Sequence, residues 1–170
     1  SILKGTFCEC SSLTQIFDQN VLTSLEFIDK SLCNRCSSLK KVIIPSSVTS
    51  IKNNSFFLCI LLTQITIPSS VTSIGDNAFY GCSSLTQISF EMPSSLTSLG
   101  NHVFDGCTSL AQITIPSSVT SIGDNAFYRC SSATQIIFEM PSSLKSIGNH
   151  AFYECSSLAL ITIPSFVKSI

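Results

Sequence analysis

Apolar positions return along the chain in one fixed order, I-x-I-P, then V-x-x-I, then A-F, then C-x-x-L-x-x-I, with serine, threonine, asparagine and glutamine filling the places between. The stretch IPSSVTSIGDNAFYGCSSLTQI, from Ile67 to Ile88, comes back 48 residues later as IPSSVTSIGDNAFYRCSSATQI, from Ile115 to Ile136, with two positions changed. In LTQITIP the pattern puts Leu62, Ile65 and Ile67 inward and Thr66 outward, and the β-branched content predicts an extended strand. In VTSI, Val71 and Ile74 point inward three residues apart, which predicts a second short strand or turn on an opposite wall. Gly75 is then expected to take a positive φ, with Asp76 or Asn77 capping a single helical turn that carries Phe79 into the core.

Self-similarity at a fixed spacing is the signature of a repeat architecture. Prolines at 45, 68, 93, 116, 141 and 164 are separated by 23, 25, 23, 25 and 23 residues. Cysteine keeps the same beat at 10, 36, 59, 82, 107, 130 and 155, with leucine three residues later, or alanine at 133. Phenylalanine keeps a third beat three residues before that cysteine, with Cys33 in its place in the second unit. The longer units carry FEMP, Phe90 to Pro93 and Phe138 to Pro141, where the shorter ones have IP, so the higher-order period is 48. One unit departs, between Leu13 and Cys36: it lacks the proline, has Leu22 there, and carries about three extra residues.

Parallel strands stacked about 4.8 Å apart would lay identical columns over one another, giving ladders of Leu, Ile, Phe and Cys that no unit could bury alone. The pattern C-x-x-L-x-x-I-x-I-P-x-x-V-x-x-I-G-x-x-A-F resembles the BspA-like, or Treponema pallidum type, leucine-rich repeats over essentially the whole chain. The resemblance implies a leucine-rich repeat solenoid: right-handed, a parallel β-strand ladder with a second short strand or turn wall and single-turn helices, in about seven repeats of 23–25 residues. It also implies a segment of a surface protein of bacteria or parasitic protists, and partners among host matrix proteins such as fibronectin and fibrinogen. It supplies no catalytic residues.

Composition narrows the function. Charged residues make up 11% of the chain, against about 25% in an average globular protein. The net charge is −1, and no Lys or Arg occurs between Asn53 and Tyr128. A nucleic-acid partner is therefore not expected, since phosphate binding needs a basic face. The longest apolar run, Phe56 to Leu62, is far shorter than the roughly 20 residues of a membrane-spanning helix.

The candidate chemical groups recur by copying rather than converging. One cysteine per repeat at one phase reads as a column of buried thiols and lacks the paired ligands of a zinc site. Cys33 and Cys36 form C-x-x-C only because one fills the Phe column and the other the Cys column, and Cys8, outside both, is the expected reactive thiol. His102 and His150 replace the turn asparagine two repeats apart, about 10 Å by strand spacing, too far to share a metal ion. No serine is singled out with a base, and Glu91 and Glu139 are copies of one another, so no enzyme, metal or cofactor is expected. Asn53 heads a formal glycosylation sequon, N-N-S.

What remains is surface. The outward strand positions predict a flat field of amides at Gln64, Gln87, Gln112 and Gln135, and of hydroxyls at Thr63, Thr86, Thr66, Ser89 and Thr114. Such a field suits a long protein partner. The chain, 1–170, reads as one continuous array and is expected to be a fragment of a longer one; the alternative is end-to-end self-association through exposed strand edges. The expected function is non-enzymatic protein binding by a cell-surface or secreted adhesin segment. The alternative is a cytoplasmic scaffold or filament component assembled through its repeats.

Overall fold

A computed structural model describes residues 5–16 and 24–169. Leu22, the residue in the proline position of the irregular unit, and Ile170 lie outside the described residues. Strands of two walls alternate along the chain. The first wall holds β1 (Gln15–Ile16), β3 (Lys41–Val42), β5 (Gln64–Ile67), β7 (Gln87–Phe90), β9 (Gln112–Ile115), β11 (Gln135–Phe138) and β13 (Leu160–Ile161). The second holds β2 (Phe27–Ile28), β4 (Ser50–Ile51), β6 (Ser73–Ile74), β8 (Ser98–Leu99), β10 (Ser121–Ile122) and β12 (Ser146–Ile147). The result is a leucine-rich repeat solenoid of parallel strands, the short second wall running unbroken from β2 to β12.

Register follows the columns read from sequence: Ile65 pairs with Ile88, Ile113 with Ile136, and Ile74 with Leu99. Leu62, Ile65, Ile67, Val71 and Ile74 are buried while Thr66 is exposed. The Phe column stacks ring on ring, with centroids 5.3 Å apart for Phe56 and Phe79, 5.6 Å for Phe79 and Phe104, and 5.4 Å for Phe104 and Phe127. Where Cys33 replaces phenylalanine, the preceding position carries Leu32 instead of the usual serine, alanine or valine. Bulk is thereby moved one residue back, and both side chains are buried.

The turn between the walls differs from expectation. Among the described residues no helix forms; A-F-Y lies in a run of turns. The positive φ falls not at Gly75 but two residues on, at Asn77, and at the equivalent Asn54, His102, Asn125 and His150, with φ from 53° to 56°. Asparagine and histidine are among the non-glycine residues that tolerate this left-handed region best, which explains why His alternates with Asn there. A second left-handed position follows four residues later, filled by glycine at 81 and 106 but by Leu58, Arg129 and Glu154 elsewhere.

Glycines 75, 100, 123 and 148 serve close approach instead. A Cβ on Gly100 would lie 2.5 Å from the Gly75 carbonyl carbon and 2.6 Å from the Asp76 nitrogen, so each coil rests here on the backbone of the one before. Backbone, unlike a side-chain tip, cannot swing away. Gly100→Ala is expected to cost about 3 kcal/mol through forced separation of two coils, read as a drop in the urea midpoint. An unchanged midpoint would mean that the coils do not meet there.

Asp76 caps the next coil rather than a helix. Its Oδ1 accepts the Asn101 N–H at 2.8 Å, Asn101 Oδ1 accepts that of Asp124 at 2.8 Å, and Asp124 Oδ1 accepts that of Asn149 at 2.7 Å. Asn53 starts the chain of caps by accepting the Asp76 N–H at 3.1 Å. Because aspartate and asparagine alternate, no two carboxylates are stacked on adjacent coils, where like charges repel. The formal sequon is thus part of the cap ladder, and its Ser55 is buried with its hydroxyl donating to the Asp29 and Lys52 carbonyls.

Candidate protein-binding face

The predicted surface residues all lie on the outer side of the first wall. Thr63, Gln64, Thr66, Thr86, Gln87, Gln112, Thr114 and Gln135 are exposed, and Ser89 is half-exposed. Register brings the amides into rows, Gln64 beside Gln87 and Gln112 beside Gln135. Thr66 and Ser89 share a hydrogen bond at 3.1 Å. Some of the hydroxyls are already engaged: Thr86 Oγ1 donates to the Thr63 carbonyl at 3.0 Å, which ties coil to coil.

The field is not flat, because the first wall is joined in pairs. β5 pairs with β7 and β9 with β11 over four residues each, whereas no ladder joins β3 to β5 or β7 to β9 among the described residues, and β11 meets β13 over only two. A cleft opens at each of these three weak joints, with volumes of 380, 320 and 590 Å³ in chain order. The three are copies of one groove. The column of Ile43, Ser89 and Ile137 lines one side of the successive clefts, that of Thr66, Thr114 and Thr162 the other, and Pro68, Pro116 and Pro164 line the same end.

The FEMP insertion shapes the clefts. Its glutamate prolongs the strand ladder by one bond, Glu91 N–H to the Ile67 carbonyl at 2.9 Å and Glu139 N–H to that of Ile115 at 3.0 Å. The side chains fold back to accept the N–H of Ser69 at 3.3 Å and of Ser117 at 2.9 Å. That places Glu91 at the first cleft and Glu139 at the second, while Met92 and Met140, both exposed, line the second and third. As copies in sequence Glu91 and Glu139 show no role, and the methionines none; the 25-residue spacing is the signal, since two extra residues must bulge from one wall.

The cysteines play a more specific part than apolar filling. Each column thiol from Cys36 to Cys155 donates to the carbonyl of the preceding coil's Phe-column residue, as Cys82 does to Phe56 at 3.2 Å and Cys107 to Phe79 at 3.3 Å. Burial pushes the Cys82 thiol up to about 12 and the Cys155 thiol up to about 11. Cys33, hydrogen-bonded to Cys36 and buried, is also pushed up. Cys8 is the exposed cysteine. His102 Nδ1 meets Asp105 Oδ2 at 2.9 Å, and His150 stands edge-on to Tyr153, so each histidine is engaged within its own turn. Among the described residues no three His, Cys, Asp or Glu side chains gather as a metal-binding group.

A family description, BspA type leucine rich repeat region, matches residues 1–91 and 88–170 with six copies. The chain belongs to this family. The leucine-rich repeat of this family is a non-enzymatic, protein-interaction fold, and no helix among the described residues is long and apolar enough to cross a membrane. Several solved structures are similar, among them the following three. The T. pallidum leucine rich repeat protein superposes with a TM-score of 0.79 at 22% identity, over 96% of this chain and 78% of its own. A leucine rich cell surface protein from Faecalibacterium prausnitzii matches at 26% identity with a TM-score of 0.55, over 98% of this chain and 52% of its own. The pneumococcal vaccine antigen PcpA matches at 34% identity with a TM-score of 0.60, over 63% of this chain and 26% of its own. This BspA-type array thus spans about half or less of the last two. Among curated proteins none matches it.

Proposed function

We propose that this BspA-type array is a segment of a longer cell-surface or secreted adhesin that binds proteins through its first strand wall. The observation that carries the reading is the wall itself: amide and hydroxyl rows exposed over successive coils, interrupted by clefts with exposed methionines. An interaction surface needs polar groups for orientation and apolar anchors in pockets for energy, and both occur here together. Two of the similar structures carry names that speak of a cell surface and of a vaccine antigen, which supports display outside the cell. Host matrix proteins such as fibronectin and fibrinogen are the first partners to test.

Antibody labelling of the parent protein on intact source cells, compared with permeabilised cells, tests the location. Signal on intact cells is expected, followed by saturable binding of the purified array to an immobilised matrix protein. Signal only after permeabilisation would overturn the adhesin reading in favour of an internal scaffold.

A further inference from the structure

The three clefts have a spacing, and spacing selects a ligand. Successive clefts are two coils apart, at least about 10 Å along the solenoid axis at about 4.8 Å per hydrogen-bonded parallel strand, and somewhat more because one joint in each pair is open. A chain lying along that axis, across the strands, would need one anchoring side chain per cleft on the same face. An extended β-strand presents a face every two residues, about 6.7 Å, and falls out of step. A polyproline II helix presents one every three residues, about 9.3 Å, and comes much nearer to that step.

Charge points the same way. Glu91 and Glu139 stand at corresponding ends of the first and second clefts, also two coils apart, and each carboxylate uses Oε2 for its Ser N–H. Among the described residues no bond engages either Oε1, so the first and second clefts each keep one carboxylate oxygen for a ligand, and the third has none. Among the described residues Lys41, at the first cleft, is the one cation lining any of the three. Apolar contact is supplied by Phe90 and Met92 in the second cleft and by Met140 and Leu160 in the third. Prolines and aliphatic side chains on a preformed helix dock in such grooves at low entropic cost.

We infer that the first wall binds a polyproline II segment of a protein partner that runs along the solenoid axis, with an apolar residue at every third position and basic residues interspersed. The inference rests on the protein-binding reading above and specifies the form of its ligand. Each apolar anchor drops into one cleft, and each lysine or arginine meets the free oxygen of Glu91 or Glu139. The row glutamines line the clefts, Gln64 the first, Gln87 and Gln112 the second and Gln135 the third, where their amides reach the backbone carbonyls that a polyproline II chain leaves unpaired.

The test uses the chain as it stands and two fluorescent peptides of equal composition. One repeats the triplet Pro-Leu-Lys; the other holds the same residues reordered so that the leucines fall at alternate positions of one segment. Anisotropy titrations are expected to show tighter binding of the triplet peptide, weakened by salt. Thr114→Arg, an exposed position that would fill the middle cleft and add a like charge, is expected to weaken it by about ten-fold or more, about 1.4 kcal/mol, with the melting temperature unchanged. Glu139→Gln is expected to reduce both affinity and salt dependence while keeping the Ser117 contact. Equal affinity for the two peptides, binding of neither, or indifference to Thr114→Arg would overturn the inference. If a matrix protein still binds Thr114→Arg as it binds the parent array, the adhesin reading stands and only the groove assignment falls. If the parent protein is confined inside cells yet the triplet peptide binds in register, the reverse holds.

Discussion

Phe104→Ala is expected to lower stability by about 3–5 kcal/mol, the range for removing a fully buried aromatic ring. Phe104 lies between Phe79 and Phe127 and has no exposed surface. The cavity cannot close easily, because coil spacing there is held by backbone bonds on both sides, Phe79 N–H to the Val103 carbonyl at 2.9 Å and Phe104 N–H to that of Ala126 at 2.8 Å. Closing the gap would break bonds worth about 1 kcal/mol each, so the void persists. The loss also extends beyond one repeat, since stability in a stacked array is a sum of intrinsic and nearest-neighbour terms and an interior coil contributes to two interfaces. Thr114→Ala, exposed on the first wall, is expected to leave stability nearly unchanged. Urea midpoints of the two variants check the pair, and equal shifts would refute the assignment of Phe104 to the core and Thr114 to the surface.

The inward columns were legible in the sequence because they answer to one physical demand repeated in every coil. A position that stacks on its own copy must suit that copy, so Ile, Leu, Phe and Cys recur and their periodicity shows which side faces in. Turn geometry was less legible. Gly75 invited the reading that glycine marks positive φ, whereas here glycine is required because it lies against the backbone of the preceding coil at Lys52 and Asn53, and the left-handed residue is Asn77. Glycine serves both needs, and sequence alone does not separate them.

The candidate face was half legible. Alternation placed Gln64, Thr66, Gln87, Ser89, Gln112 and Thr114 outward, as the structure has them. The clefts between them depend on which strands hydrogen-bond, and that changes from joint to joint among units of nearly identical sequence. Sequence pattern specifies the facing of a side chain far better than the spacing of two neighbouring strands. The FEMP insertion gave notice of an irregularity, and the glutamates that looked like idle copies are a strand-extending and turn-capping device placed twice.

Stability is expected to fall steeply as pH rises above about 9, and the thiol ladder is the reason. An unfolded cysteine titrates at about 8.5–9, whereas burial raises Cys82 to about 12 and Cys155 to about 11 and pushes Cys59, Cys107 and Cys130 up as well. A thiol is neutral when protonated, so above about pH 9 the unfolded chain has released protons that the native chain still holds. The unfolded state then binds fewer protons, and the free energy of unfolding decreases with pH. Each of these five thiols contributes a slope of about 1.4 kcal/mol per pH unit, beginning at the unfolded value and ending at its own native one; Cys36, whose pKa is lowered by its hydrogen bond with Cys33, does not share in it. Below about pH 8 the ladder contributes no pH dependence, and its stabilising effect is fully present there. Several thiols in one column add, so the effect over one to two pH units exceeds that of any single core substitution. Urea midpoints measured from neutral pH to about pH 10.5 check this, with Cys82→Ser as the control. Serine does not titrate in this range and keeps a hydroxyl to donate to the Phe56 carbonyl, so the variant is expected to lose one thiol's share of the alkaline slope. A profile that stays flat above pH 9 would mean that the native thiols ionise freely, and the buried cysteine column would be wrong.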